Sequence, residues 1–160
     1  MLSYFLKPGL TQAIYAGNAL WFGSAFYHFG FDQKNIMRRI SLRNQSGDPT
    51  VKNSAAGDLW HHDILSYLGS MNSALAVLAA IRLYALWRPS RVLGKEDIAL
   101  DVTAMIVLGV GNFSQAILNF TRSRWNDRWI MGKGFDRITV LDTLFTILDC
   151  SAALARIVTM

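Results

Sequence analysis

The chain has 160 residues, of which 52% are hydrophobic and only 17% charged, against roughly 25% charged in a soluble domain. That length holds one domain. A net charge of +5 invites a phosphate-binding reading, but the basic residues cluster between long apolar segments, as in membrane proteins, so nucleic acid is not an expected partner.

The expected fold is all-α, a polytopic membrane four-helix bundle, with residues 1–160 as a single integral membrane domain. Crossing ~30 Å of hydrocarbon takes ~20 apolar residues, and four segments qualify: about 9–29, 63–86, 98–120 and 138–158. The first follows Lys7 and Pro8. Its apolar run, 10–31, is longer than a usual secretory h-region of about 7–15 residues, which favours a retained helix over a cleaved signal. It carries Asn18, preceded by Gly17.

Connection 30–62 holds Lys34, Arg38, Arg39, Arg43 and Lys52 and turns at Gly47-Asp48-Pro49. Residues 31–42 are expected as an amphipathic helix on the membrane surface. His61-His62-Asp63 is the one histidine cluster. Neighbouring side chains on a helix point ~100° apart and do not readily share a metal. The cluster therefore reads as an interfacial cap of the second segment, with Asp63 near the helix N-terminus. No metal site is expected.

The second segment contains Asn72 and Arg82, and Gly69, Ala76 and Ala79 permit close helix approach. Pro89 flanks it rather than interrupting it. The third aligns Asp101, Leu108, Asn112, Gln115 and Asn119 on one stripe. Connection 121–137 has Arg122, Arg124, Arg128, Lys133 and Arg137 interleaved with Trp125 and Trp129, which read as headgroup-level anchors on one face of a surface helix. Met131-Gly132-Lys133-Gly134 lacks the spacing of a phosphate-binding loop, and no motif implies a cofactor. The lone Cys150 offers neither a disulfide nor a metal-ligand pair.

The fourth segment places Asp142, Asp149 and Arg156 at intervals of seven, which return to one helix face within ~20°. A charge in the bilayer costs at least ~2.5–3.5 kcal/mol, so each is a functional suspect. Asp142 and Asp149 are the catalytic candidates. Asn18, Asn72, Arg82, Asp101, Asn112 and Gln115 are the substrate-binding or interhelical polar positions. Asn112 and Gln115 are the expected partners of Asp149. One reading is interhelical glue, with amides pairing across small-residue contacts; the other is a cavity in which the aspartates do acid–base work.

Two stretches carry a family likeness. Leu68-Gly69-Ser70-Met71-Asn72-Ser73-Ala74-Leu75, closing in Ile81-Arg82-Leu83-Tyr84-Ala85, resembles the second helix of the Erg28-like family. Gly111-Asn112-Phe113-Ser114-Gln115-Ala116-Ile117-Leu118-Asn119-Phe120-Thr121-Arg122 is similar to that family's third helix, which has a histidine and a glutamate near the places of Asn112 and Gln115. Gly17-Asn18 is similar to a Gly-Asn in its first helix. The likeness covers about 60 residues; the fourth segment and connection 30–62 depart from it. It implies a four-helix protein of the endoplasmic reticulum that tethers sterol-modifying enzymes. Small four-helix enzymes of polyketide and terpenoid pathways, such as anthrone oxygenases, are similar in size and topology only.

The expected function is a multi-pass membrane organiser or accessory subunit for enzymes acting on lipophilic substrates in sterol- or terpenoid-type biosynthesis. Its partners would be membrane lipid and other membrane-bound biosynthetic enzymes. The alternative is a small membrane-bound isomerase, cyclase or oxygenase of specialised metabolism using the intramembrane aspartates. Transport is disfavoured because no inverted repeat is visible.

Connections 30–62 and 121–137 hold ten Lys and Arg residues against six (Lys7, Arg82, Arg88, Arg91, Lys95, Arg156) on the opposite side. The positive-inside bias therefore puts both connections in the cytosol. Asn44, in an intact Asn-Gln-Ser sequon, should stay unglycosylated in cells. A glycosidase-sensitive mass shift that disappears in Asn44→Gln would reverse the orientation.

Overall fold

A computed structural model describes residues 2–88, 97–132 and 135–159. Pro89, Arg91, Lys95 and Lys133, used in the reading above, lie outside the described residues. A 3-10 turn, Leu2–Leu6, precedes α1 (Pro8–Phe31); α2 (Gln33–Ile40), a second 3-10 turn (Leu42–Gln45) and α3 (Pro49–Asn53) follow, then the long helices α4 (Leu59–Trp87), α5 (Ile98–Trp125) and α6 (Arg137–Thr159). No strand occurs among the described residues.

Local chemistry sets the ends. Pro8 opens α1, where its fixed φ suits the helix and its missing N–H is not needed. Asp58, Asp97 and Asp136 each accept the backbone N–H three residues ahead, from His61 at 3.1 Å, Leu100 at 2.9 Å and Thr139 at 2.8 Å, satisfying donors that a helix start leaves open. Before α4 the chain turns through Gly57 at φ +72°, a region that side chains other than glycine's resist. Asp58 therefore caps α4 together with His61 of the expected cluster, and the helix starts four residues before the expected segment.

α4, α5 and α6 are long and apolar enough to cross a membrane; at ~1.5 Å per residue each exceeds ~30 Å. Their outward faces are apolar: Val77 and Tyr84 on α4, Val110 and Phe113 on α5, Ile147 and Leu154 on α6 are all exposed. Their inward faces carry Asn72, Arg82, Asp101, Asn112, Asp142 and Asp149, all buried. Apolar outside and polar inside inverts the arrangement of a water-soluble domain and suits a hydrocarbon solvent. α1, with 24 residues, is long enough, but Gln12, Asn18, Ser24 and His28 dilute its apolarity and it is not one of the three.

The helices pack most closely as two pairs, α1 with α4 and α5 with α6. Glycine makes both contacts possible. A Cβ on Gly69 would lie 2.7 Å from the backbone nitrogen of Gly30, and one on Gly109 would lie 3.2 Å from the Cβ of Asp149. Ile14, Phe22, Met105 and Leu108 fill the space between the pairs with alanines of α4, α5 and α6.

At one end the two connections lock together. The Leu42 N–H donates to the carbonyls of Trp129 and Met131, both at 3.1 Å; Ser46 donates to Asp127; Arg128 reaches Asp48 at 3.2 Å. α2 is shorter than the expected 31–42 helix, and it is clamped: Met37 is fully buried among Phe29, Leu65 and Met131. Trp125 and Trp129 do not share a surface helix. α5 carries Trp125 outward to its last residue, whereas Trp129 lies beyond it and turns its indole N–H back to Asn119 at 3.1 Å.

Gly69→Ala should lower unfolding stability in detergent by about 1–3 kcal/mol, because the atom it meets is backbone and cannot move aside. Gly23→Ala, with nothing within 4 Å of the new Cβ, should be neutral or gain up to about 1 kcal/mol.

Candidate functional site

Three polar clusters join the long helices. At the centre, α6 presents Asp149 to α1 and α5. Its Oδ1 accepts from Asn18 Nδ2 at 2.8 Å and its Oδ2 from Asn112 Nδ2 at 3.2 Å, while Asn112 Nδ2 also donates to Asn18 Oδ1 at 2.9 Å. All three side chains are fully buried. Gly109, one turn before Asn112, admits the backbone of α6 this closely. The amide orientation of Asn112 follows from its surroundings: Nδ2 faces two acceptors, and Oδ1 is left without a partner among the described residues.

Asp142, two turns earlier on α6, takes a different partner. Trp21 donates its indole N–H to Oδ1 at 2.7 Å, and Oδ2 is buried with no partner among the described residues, as is Thr139 Oγ1 one turn away. Asp142 and Asp149 thus hold separate donors on α1 and do not form a carboxyl pair.

The third cluster closes on Asp101. Arg82 of α4 donates to its Oδ1 through Nε at 3.0 Å and Nη2 at 2.7 Å, and the Tyr15 hydroxyl of α1 donates to the same oxygen at 2.8 Å. Arg156 of α6 stands 3.9 Å from Oδ2 and donates to Thr11 Oγ1 at 2.7 Å. All five residues are buried. The Asp142–Asp149–Arg156 stripe is therefore split: the long arginine side chain carries its charge away to α1 and the start of α5.

Of the remaining expected positions, Gln115 does not reach Asp149. It donates to Asn72 Oδ1 at 3.2 Å, and Asn72 donates to the Leu68 carbonyl at 2.8 Å. Gln115 lies one turn beyond Asn112, where the stripe has rotated from α6 toward α4. At the start of α4, His61 Nδ1 sits 2.7 Å from Asp58 Oδ1; hydrogen bonds from the His61 side chain and then its backbone hold the Asp58 carboxyl below the usual carboxylate range. Among the described residues no group of three His, Cys, Asp or Glu side chains converges to hold a metal.

The sequence reading missed Thr11, Tyr15 and Trp21. Their spacing from Asn18 by seven, three and three residues was the available signal, since residues at such intervals share a helix face. Hydropathy alone makes Tyr15 and Trp21 look like ordinary core aromatics.

Because the helices pack as pairs, clefts remain along the looser seams. A cavity of about 760 Å³ lies between α1, α2 and α6, lined by Trp21, Phe29, Arg39, Gln115 and Arg137 among others. A second, of about 320 Å³, lies between α4 and α5 with Met71, Leu75, Leu118 and Trp129 on its walls. Gln115 borders both. No protein-family model, curated protein or solved structure matches the chain.

Asp149→Asn should fold with a loss of about 1 kcal/mol, since Asn112 can turn its unpartnered oxygen to the new N–H. Asp149→Leu should cost more, about 1–3 kcal/mol per stranded amide. Asp101→Ala should cost about 3–5 kcal/mol by breaking the buried ion pair with Arg82 and the bond from Tyr15. Thermal unfolding in a single detergent orders the three variants, and equal melting of Asp149→Leu and wild type would contradict the central network.

Proposed function

We propose that the chain is a four-helix, multi-pass membrane protein in which α1 is the fourth crossing, and that it acts as an organiser or accessory subunit for membrane enzymes working on lipophilic substrates. The observation that carries this reading is the occupancy of its acids. Asp149 accepts two amide N–H groups at full burial, and Asp101 accepts Arg82 and Tyr15. Such groups hold helices together, and they offer a substrate no free acid or base.

The partners of α1 favour a crossing. Asn18 bonds to Asp149 in the middle of α6, and Tyr15 bonds to Asp101 near the start of α5, so α1 runs beside helices that are themselves long and apolar enough to span. Four crossings put the interlocked connections 30–62 and 121–137 on one side, and the positive-inside bias favours the cytosol for them. The likeness to Erg28-like proteins supports the endoplasmic reticulum and sterol- or terpenoid-type pathways as the setting. The exposed Val110, Phe113 and Ile117 of α5 are available for lipid or for the helix of a partner enzyme.

A second reading, a small membrane isomerase, cyclase or oxygenase, has one observation in its favour. Asp142 keeps a buried Oδ2 with no partner among the described residues, behind Trp21, and Trp21 lines the larger cavity. Acid–base work by Asp142 would require Trp21 to swing aside.

Cells expressing an Asp142→Asn, Asp149→Asn double variant decide between the two. The organiser reading expects normal abundance, retained co-purification with a membrane enzyme and unchanged pathway product. Loss of product at normal abundance, together with turnover by microsomes containing the wild-type chain alone, would establish the enzyme instead.

A further inference from the structure

We propose that the cavity between α1, α2 and α6 is a binding site for an anionic amphiphile, with an acidic head at Arg39 and Arg137 and a hydrocarbon tail running inward along α1. At about 760 Å³ it falls within the range of about 300–1,000 Å³ that holds small molecules. Its charged residues, Arg39, Asp136 and Arg137, lie at the end formed by the connections. Arg39 and Gln45 come from the connection and Arg137 from the first turn of α6, whereas Trp21 and Ala25 lie up to two turns further into α1 than Phe29. The eight helical rises from Trp21 to Phe29 give a depth of about 12 Å, enough for the first part of an acyl chain.

Charge decides the head group. Arg39 and Arg137 come from different elements and line one space, and neither has an ion-pair partner among the described residues. The acid beside them, Asp136, is already engaged: its Oδ1 accepts the Thr139 N–H at 2.8 Å, and its carboxylate packs so closely on Gly132 that a Cβ there would collide with it. Asp136 therefore faces the partial positive charge of the α6 N-terminus, and the two guanidinium groups remain available. Guanidinium pairs carboxylate and phosphate bidentately, and basic pockets between membrane helices take acidic lipid heads. Deeper in the cavity Trp21, Ala25 and Phe29 offer a tail apolar surface, with Ser24, His28 and Gln115 among them. The shared chemistry is an acid on a chain, from either a bilayer phospholipid or a single-chain acid.

The inference rests on the chain being membrane-embedded and is independent of the organiser role. Native mass spectrometry of the full chain released from detergent tests it, with phosphatidylcholine, phosphatidylglycerol and oleate titrated separately. At about 1 kcal/mol per arginine near a lipid head, phosphatidylglycerol or oleate should bind about thirtyfold more tightly than phosphatidylcholine. Arg39→Gln, Arg137→Gln should abolish that preference, and Arg39→Lys, Arg137→Lys should keep part of it. Removing two exposed charges elsewhere, with Arg122→Gln, Arg124→Gln, should leave it intact. Preference for phosphatidylglycerol alone assigns the site to bilayer lipid, and preference for oleate alone assigns it to a single-chain acid. Equal binding of all three, or a preference that survives the Arg39→Gln, Arg137→Gln pair, overturns the site. Failure of the membrane reading would be visible beforehand, as a chain that stays dispersed once detergent is removed.

Discussion

Asp101 stands near the first turn of α5 with Arg82 of α4 at 2.7 Å, the Tyr15 hydroxyl of α1 at 2.8 Å and Arg156 of α6 at 3.9 Å, so one carboxylate gathers a side chain from each of the other long helices. The attraction between such groups is strong because little water competes for them, and the same scarcity of water penalises each of them when alone. Removing the acid would leave arginines buried on α4 and α6 and a tyrosine hydroxyl buried on α1. The relative placement of all four helices is thereby tied to a single residue near one end of the molecule.

The Asn18–Asn112–Asp149 cluster acts at a second level. It fixes how α1, α5 and α6 rotate about their axes, since turning any one of them by a residue would aim its amide or carboxylate at hydrocarbon. Apolar packing alone could not do this. Leucine against leucine is nearly as good as leucine against lipid, so small-residue contacts and hydrogen bonds carry the specificity. Gly69 and Gly109 serve both needs by letting backbones approach until short polar side chains can reach across.

Much of this was legible in the residues. Charge segregation and apolar length expose α4, α5 and α6, and seven-residue spacing identifies inward faces on α5 and α6 because the helix itself imposes that repeat. Partner choice was not legible. Periodicity says which face of α6 holds Asp149 and Arg156, but it is blind to side-chain length, and that length sends Arg156 to Thr11 and Asp101. The same blindness assigned Gln115 to Asp149 when it meets Asn72. Trp129 eluded the reading because headgroup preference is a statistical habit, whereas a specific acceptor, Asn119, lies within reach once the chain leaves α5. The start of α4 was misjudged for a related reason: hydropathy marks where apolar residues begin, but Gly57 and Asp58 determine where the helix does.

The pairing of α1 with α4 and of α5 with α6 bears on how the molecule is made. Each tight pair is contiguous in the chain apart from its connection, so the first is complete while the second is still being synthesised. Until α5 and α6 arrive, Tyr15, Asn18 and Trp21 have none of their cross-helix acceptors, and Arg82 lacks Asp101. The early half alone thus leaves that polar face bare. The late half brings Asp101, Asp142 and Asp149 together, and with them the acceptors that cover that face. Covering the polar faces of α1 and α4 therefore waits on the order in which the helices are made.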